Sequence, residues 1–307
     1  MQLLRGLEEI DGIRGGFASI GNFDGVHRGH QAMLNTLISR ARSEDVLAIA
    51  VTFDPHPIAL LKPDAAPPEL TTIEHRAELL GRYGVDVTVV LPTDRQLLSL
   101  TAEVFFDTIL REKLQVRGLV EGPNFFFGRN RSGNITVLRG LCHTHELSFD
   151  VVPPVTVDEQ LVSSSVIRSL IESGDMAHTV RLLGHAYRLT GRVGQGAQRG
   201  RTIGFPTANL MDVTTLIPAN GVYSGWVLLD NGRHPAAINI GPNPTFGEAA
   251  RKIEVHLLDF HGDLYGQSLK VDFVDRIRDV RRFESIEQLQ SQLQQDVAVV
   301  RTAAAHV

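Results

Sequence analysis

The chain is short of cysteine, of excess charge and of long apolar runs, and each shortage removes a class of protein. Its single cysteine, Cys142 among 307 residues, leaves no intrachain disulfide framework and no cysteine-built metal site. A formal net charge of −5 supplies no basic footprint, so no nucleic-acid partner is expected. No run is long enough to span a bilayer, so no membrane partner is expected either. The opening MQLLRGLEEI lacks the continuous apolar core of a secretory signal. Low-complexity tracts and internal repeats are missing too. With 43% hydrophobic and 21% charged residues, the remaining expectation is an ordinary globular chain of about two domains in the cytoplasm. The sequence leaves the oligomeric state open.

Against that background one stretch organises the chain. Phe17 to Arg42, FASIGNFDGVHRGHQAMLNTLISRAR, opens on a short apolar strand and runs into a loop with glycines at 21, 25 and 29. A helix follows, with Met33, Leu34, Leu37, Ile38 and Ala41 at the spacing of an amphipathic face. His27 and His30 fall where loop becomes helix. A helix start presents unpaired N–H groups and partial positive charge, a natural seat for phosphate. Imidazoles added there can donate to phosphate oxygens as charge builds up in a transition state. A lone histidine reads as a cap, but His-x-Gly-His behind a strand and a glycine loop points to phosphate chemistry.

Val46 to Phe53 is a near-continuous apolar run, as a parallel strand buried on both faces requires, and it ends in Asp54-Pro55-His56-Pro57. Strand, helix and strand in about fifty residues make a right-handed βαβ unit, whose ligands bind beyond the carboxyl ends of the strands. His56 lies at that edge, as a substrate contact or as a brace for the loop. Thr71 to Arg82 reads as a helix, Val85 to Leu91 as a strand, and Thr101 to Lys113 as a helix capped by Thr101. A strand at Gly118 to Glu121 delivers Gly122 to Gly128, with three consecutive phenylalanines, to the same edge. These rings either pack beneath the loop, the favoured reading, or wall a flat ligand. Ser148 to Val152 is a fifth strand. Ser163, Ser164 and Ser165 then open a helix with Arg168 one turn in. They read as caps or, beside the histidine pair, as a second polyphosphate seat.

Asp175 to Leu183 is one more short helix, and near Gly184 the pattern changes to short alternating strands with glycine and proline turns. That is the mark of an antiparallel sheet or small barrel. Strands are expected at 187–193, 222–229, 235–240, 253–259 and 269–276, then a helix over 285–304. The densest polar stretch, Gly191 to Asn209, carries Gly191, Gly194, Gly196, Gly200 and Gly204 with Arg192, Arg199 and Arg201. It is either a flexible turn or a backbone loop able to wrap phosphates. It is no Walker loop, because Gly-Lys-[Ser/Thr] is missing and no helix is expected after it. Glu254, between apolar neighbours on an expected strand, is a surface residue or a general base.

The stretch Gly21-Asn22-Phe23-Asp24-Gly25-Val26-His27-x-Gly-His30 resembles the adenylyltransferase half of bifunctional riboflavin kinase/FAD synthetases. The Gly122 to Gly128 loop, with Asn124, and Ser163-Ser164-Ser165-x-x-Arg168 are similar to further motifs of that half. Ser165 stands where threonine is usual. Pro206-Thr207-Ala208-Asn209 and Glu254-x-His256 resemble the riboflavin kinase half, as do Gly221-Val222-Tyr223 and Arg278 to Phe283. The resemblance implies a doubly wound parallel-sheet nucleotidyltransferase (α/β) domain over 1–184. A small antiparallel β-barrel domain with a C-terminal helix follows over 185–307. It implies ATP as co-substrate, flavins as substrate and product, and Mg2+ held by Thr207 and Asn209. Glu254 would be the kinase base, and His27 and His30 would serve adenylyl transfer. Gly21 to Asp24, Asn124, Ser163 to Ser165, Arg168, Gly191, Arg199, Gly200, Arg201 and Gly204 would bind nucleotide or flavin. A different phosphorylated substrate for the first half, one idle site, or flavin binding without turnover are the competing readings. The presence of His27, His30 and Glu254 together argues for two working sites.

Overall fold

The chain divides into two compact units, Met1–Ser163 and Ser164–Val307. The computed structural model describes residues 1–10, 13–196, 199–243, 245 and 248–305. In the first unit the strands are β1 (Gln2–Arg5), β2 (Phe17–Ile20), β3 (Ala48–Asp54), β4 (Val87–Pro92) and β5 (Gly118–Glu121). A ribbon of β6 (Phe126–Phe127) and β7 (Gly133–Asn134), then β8 (Ser148–Val151), complete them; β9 (Thr156–Val157) and β10 (Gln160–Leu161) pair separately. Six of them form a parallel sheet in the order β1-β4-β3-β2-β5-β8. The chain thus winds outward from β2 in one direction and returns on its other side through β5. The point where the order reverses lies between β2 and β5, where a doubly wound sheet opens its ligand crevice.

The helices of this unit are α1 (Arg28–Ser43), α2 (Pro57–Leu61), α3 (Ile73–Arg82), α4 (Arg95–Ser99), α5 (Ala102–Phe105) and α6 (Ile135–Thr144). One face of the sheet packs Phe17, Ala48 and Val120 against Leu34, Leu37 and Ala41 of α1 and Leu79 and Leu80 of α3. The other packs Ala18, Ile49, Val51 and Leu119 against Phe105, Phe106, Ile109, Leu138 and Cys142. Burial on both faces explains why β2 reads as a short apolar strand and β3 as a near-continuous apolar run. The Thr101 hydroxyl caps α5 by accepting from the Val104 amide at 3.3 Å, as the sequence suggests. The expected helix 101–113, however, widens to π-helical turns over Phe106–Lys113. The edge strand β1 and helix α6, capped by Asn134, were not expected from the sequence.

The second unit opens with α7 (Ser164–Ser173) and α8 (Met176–Leu183) and continues into a closed barrel. Its strands are β11 (Tyr187–Gly194), β12 (Ala208–Met211), β13 (Gly221–Leu229), β14 (Gly232–Asn243), β15 (Glu248–Leu257) and β16 (Ser268–Arg278), closed in the order β11-β12-β15-β14-β13-β16. A one-turn helix α9 (Arg199–Thr202) interrupts the β11–β12 connection, where no helix was expected, and α10 (Ile286–Ala305) ends the chain. Closure leaves no sheet edge open. The core is the inward alternation of Leu189, Tyr223, Val227, Ile238, Val255, Val271 and Phe273. The sequence pattern showed five of these strands; β12 is short and follows Pro206. The change of pattern at Gly184 falls where α8 ends, with Gly184 in the left-handed region and its amide bonded to the Val180 carbonyl. Packing divides the chain earlier, because α7 and α8 lean on the barrel. A Cβ at Gly174, between them, would stand 2.9 Å from the Tyr223 hydroxyl.

Candidate active sites

In the first unit the glycine loop leaves β2 at the reversal point. Phe23 and Val26 adopt left-handed conformations, with φ of 47° and 38°, and both are fully buried. The loop is held from beneath by Asp24. Its carboxylate accepts from the Leu70 and Thr71 amides and the Thr71 hydroxyl, each at 3.0 Å, and pairs with Arg76 at 3.4 Å. Both charges are buried. Asp24 therefore points away from solvent into the fold. The Asn22 carbonyl accepts from the Thr52 hydroxyl, while its side-chain oxygen is buried without a partner. Gly21 continues the sheet, donating its amide to the Val51 carbonyl.

His27 is the N-cap of α1, and its Nδ1 accepts from the His30 amide at 3.3 Å. The two imidazoles stack with centroids 3.6 Å apart, and the Phe23 ring meets His30 edge-on at 5.3 Å. Burial first, then the neighbouring His27 and Arg76, hold the His30 pKa well below the usual histidine value. At neutral pH His30 is a neutral imidazole that can donate one hydrogen bond, and its Nδ1 is buried without a partner. A buried polar atom left unsatisfied at a helix start is what an arriving anion would satisfy. Gly29 packs closely here: a Cβ there would lie 3.1 Å from the His27 ring and 3.7 Å from the Val162 carbonyl. The residue before Ser163 is thereby brought against the histidine turn. Ser164 starts α7, and Ser165 is exposed on it.

The three phenylalanines after Asn124 divide. Phe127 is buried against Phe105, Phe125 stacks on Phe127 at 5.4 Å, and Phe126 is 44% exposed with the Arg131 guanidinium 4.2 Å from its ring centre. Asn124 itself is exposed. His56 caps α2 by accepting from the Ile58 amide, which is the bracing role. Sequence reasoning missed Glu121. It is fully buried at the end of β5, its Oε1 accepts from the Ile20 amide at 2.7 Å and its Oε2 has no partner. Burial pushes its carboxyl well above the usual range and, with Glu121 adding to it, pushes the Cys142 thiol up to about 12.

In the barrel, Glu254 on β15 stands in register between Asn209 on β12 and Asn239 on β14. Glu254, Asn209, Thr207 and His256 line one open hollow, whose remaining wall is largely apolar: Val222, Ala237, Val280, Phe283, Leu289 and Leu293. The Asn243 amide donates to both Glu254 carboxylate oxygens at 3.1 Å. His256 is turned by its Nδ1, which donates to the Pro206 carbonyl at 2.8 Å. Arg278 is no solvated cation: it pairs with the buried Asp296 of α10 at 2.7 Å, while Arg281 bonds Gln292.

The glycine and arginine loop serves several ends. Gly191 lies within β11, where a Cβ would sit 2.5 Å from the Met211 carbonyl, so close strand approach accounts for it. Gly200 has the same need, its Cβ position being 2.2 Å from the Phe205 carbonyl, and its own carbonyl accepts from the Phe205 amide. Gly204 takes φ of 86° in open space. Arg199 lines the Glu254 hollow. Arg201 lines a neighbouring one with Thr207, His261, Asp263 and Tyr265, so Thr207 stands where the two hollows meet. Arg192 pairs with Asp212 on the surface.

A doubly wound sheet with a histidine-capped helix at its reversal point, followed in the chain by a closed barrel with a carboxylate-bearing hollow, defines a two-site nucleotide-dependent transferase. Residues 12–166 match the family model for FAD synthetase, and residues 183–304 match that for riboflavin kinase. The chain belongs to the bifunctional riboflavin kinase/FMN adenylyltransferase family. It is 39% identical to the Pseudomonas fluorescens member, covering 99% of this chain and 98% of that protein. To the Escherichia coli K12 member it is 36% identical, covering 98% and 97%. A solved structure described as a macrolide-efflux protein from Streptococcus pneumoniae shares the fold, with a TM-score of 0.86 and 31% identity over 98% of this chain and 99% of that one. Among the described residues no helix is long and apolar enough to cross a membrane.

Proposed function

We propose that the chain makes FAD from riboflavin in two steps. Residues 185–307 phosphorylate riboflavin to FMN with ATP, and residues 1–184 transfer an adenylyl group from a second ATP to FMN, releasing pyrophosphate. The observation that carries the reading is the convergence of Glu254, Asn209 and Thr207 on one hollow that Val222, Ala237, Val280, Phe283, Leu289 and Leu293 also line. The apolar residues suit a flat ring system, and the carboxylate on the same hollow suits the hydroxyl of a phosphate acceptor.

Glu254 takes the proton of the ribityl 5′-hydroxyl as the oxygen attacks the γ-phosphorus of ATP. The side-chain oxygens of Thr207 and Asn209 are hard ligands of the kind magnesium accepts. The described residues contain no group of three or more His, Cys, Asp or Glu fit for a metal. A magnesium ion would therefore take its other ligands from phosphate and water, and it would supply charge neutralisation on the transferring phosphoryl. Arg199, Gly200, Arg201 and Gly204 frame the phosphates, the nucleotide reaching the hollow lined by Arg201 and His261.

Adenylyl transfer needs no enzyme nucleophile. An FMN phosphate oxygen attacks the α-phosphorus, and the start of α1 with His27 and neutral His30 stabilises the charge that spreads toward pyrophosphate. Gly21, Asn22 and Phe23 shape the nucleotide loop, Asp24 holds it from behind, and Asn124 meets nucleotide or flavin. Ser163, Ser164, Ser165 and Arg168 bind phosphate. The partners are small molecules, and the dependence on ATP fits a cytoplasmic enzyme.

The test is chromatography of the purified chain incubated with riboflavin, ATP and magnesium. FMN that appears first and is then converted to FAD is the expected course. Riboflavin that stays bound and unconverted would overturn the reading.

A further inference from the structure

In the barrel, one side chain contacts both oxygens of the proposed base, and the strand has to be bent to bring it there. Asn239 and Glu254 are cross-strand partners, and Asn239, Gly241 and Asn243 follow one another on the same face of β14. In a straight strand the α-carbons of Asn239 and Asn243 would be roughly 13 Å apart, too far for their side chains to meet. Yet the Asn239 amide donates to the Asn243 side-chain oxygen at 3.5 Å, and the Asn243 amide reaches both Glu254 oxygens at 3.1 Å. The ladder shows how. Pairing runs Ile240–Ile253 and Gly241–Lys252, then slips to Asn243–Glu248. At the slip Gly241 has φ of 143°, a conformation that a side chain would forbid. The slip sets three residues of β15 (249–251) against one of β14 (242), and with the turn at Gly241 it brings Asn243 within reach of Asn239 and the carboxylate.

We propose that Asn243 is a positioning residue for riboflavin phosphorylation, holding the Glu254 carboxylate by both oxygens at the angle from which it receives the substrate proton. Asn239 orients the Asn243 amide so that nitrogen rather than oxygen faces Glu254. The inference rests on the reading of Glu254 as the base. A glutamate side chain has three rotatable bonds, so a carboxylate without this tether samples several orientations, few of which face the incoming hydroxyl.

The experiment measures FMN formation by Asn243→Ala, Asn243→Asp, Asn239→Ala and Glu254→Gln in the full chain. Riboflavin binding, followed by quenching of flavin fluorescence, reports whether each barrel is intact. Asn243→Ala is expected to lower kcat about 10- to 100-fold, with the KM for riboflavin within about twofold. Asn243→Asp keeps the shape but turns a donor into a like charge, and is expected to lose more than the alanine variant. Asn239→Ala follows the same pattern more weakly. A merely structural asparagine would rank the other way, the isosteric aspartate being milder than alanine. That order, or an unchanged kcat in both Asn243 variants, would overturn the inference. Retained FMN formation in Glu254→Gln would instead remove the reading of the base itself.

Discussion

On the proposed assignment the two sites handle protons in opposite ways. In the first unit the prominent groups are imidazoles at a helix start, one held neutral by burial and by the neighbouring His27 and Arg76. In the barrel the prominent group is a half-buried carboxylate strung between asparagines on neighbouring strands. The difference follows from the nucleophiles. An FMN phosphate is already an anion and has no proton to lose, so its site needs donors for the charge that moves to the leaving group. Riboflavin offers an alcohol, and its site needs an acceptor. A helix start supplies donors from the backbone itself, whereas a strand supplies none to its own face and must bring amide side chains instead.

The sharpest way to break this contrast is Glu254→Gln. FMN formation should fall about 10²- to 10⁴-fold while adenylylation of supplied FMN stays within about twofold, both followed by separation of flavins over time. Loss of both activities together would mean that the sites do not work independently. His30→Ala is the converse. FAD formation should drop about 10²- to 10³-fold with FMN accumulating, and undiminished FAD synthesis would take His30 out of the mechanism. Third comes the support beneath the first site. Arg76→Met leaves the Asp24 carboxylate buried without its ion-pair partner, a change that costs about 3–5 kcal/mol. Urea should then abolish adenylyl transfer at much lower concentration than it abolishes phosphorylation.

A smaller effect tests burial alone. The Glu121 carboxyl is raised in the folded chain, so the native state keeps a proton that the unfolded chain gives up above its ordinary carboxylate pKa. Its contribution is therefore fully present below about pH 4.5 and is lost as pH rises toward the folded value. Glu121→Gln keeps the acceptor for the Ile20 amide without that loss. It should raise the thermal midpoint of the adenylyl activity at pH 8 and change it less at pH 5. Arg192→Gln removes an exposed pair with Asp212 and should shift stability by no more than about 0.5 kcal/mol.

Local features were legible in the sequence. The β2 strand, the glycine loop and the start of α1 lie within one stretch, and their pattern announces strand, turn and capped helix. The buried strands announced themselves by apolar runs, and the barrel by its alternation. What stayed hidden depends on residues far apart in the chain. Asp24 reads as part of a ligand loop until Leu70, Thr71 and Arg76 are found around its carboxylate. Gly191 reads as a flexible phosphate loop until Met211 is seen to press on it. The contact of Asn243 with Glu254 was hidden, because it depends on a slip in register that no periodicity encodes. The phenylalanine triplet was half legible: Phe125 and Phe127 pack, while Phe126 stands out beneath Arg131.

The hold of Asp24 on Leu70 and Thr71 also limits what can be moved from one protein to another. The left-handed turns at Phe23 and Val26 are fixed by a segment some forty-six residues downstream. A designer who transplants only the loop and its two histidines into another parallel-sheet scaffold carries the chemistry without its mould. The piece that can be transplanted is the loop together with the 70–76 segment and the sheet ends that space them.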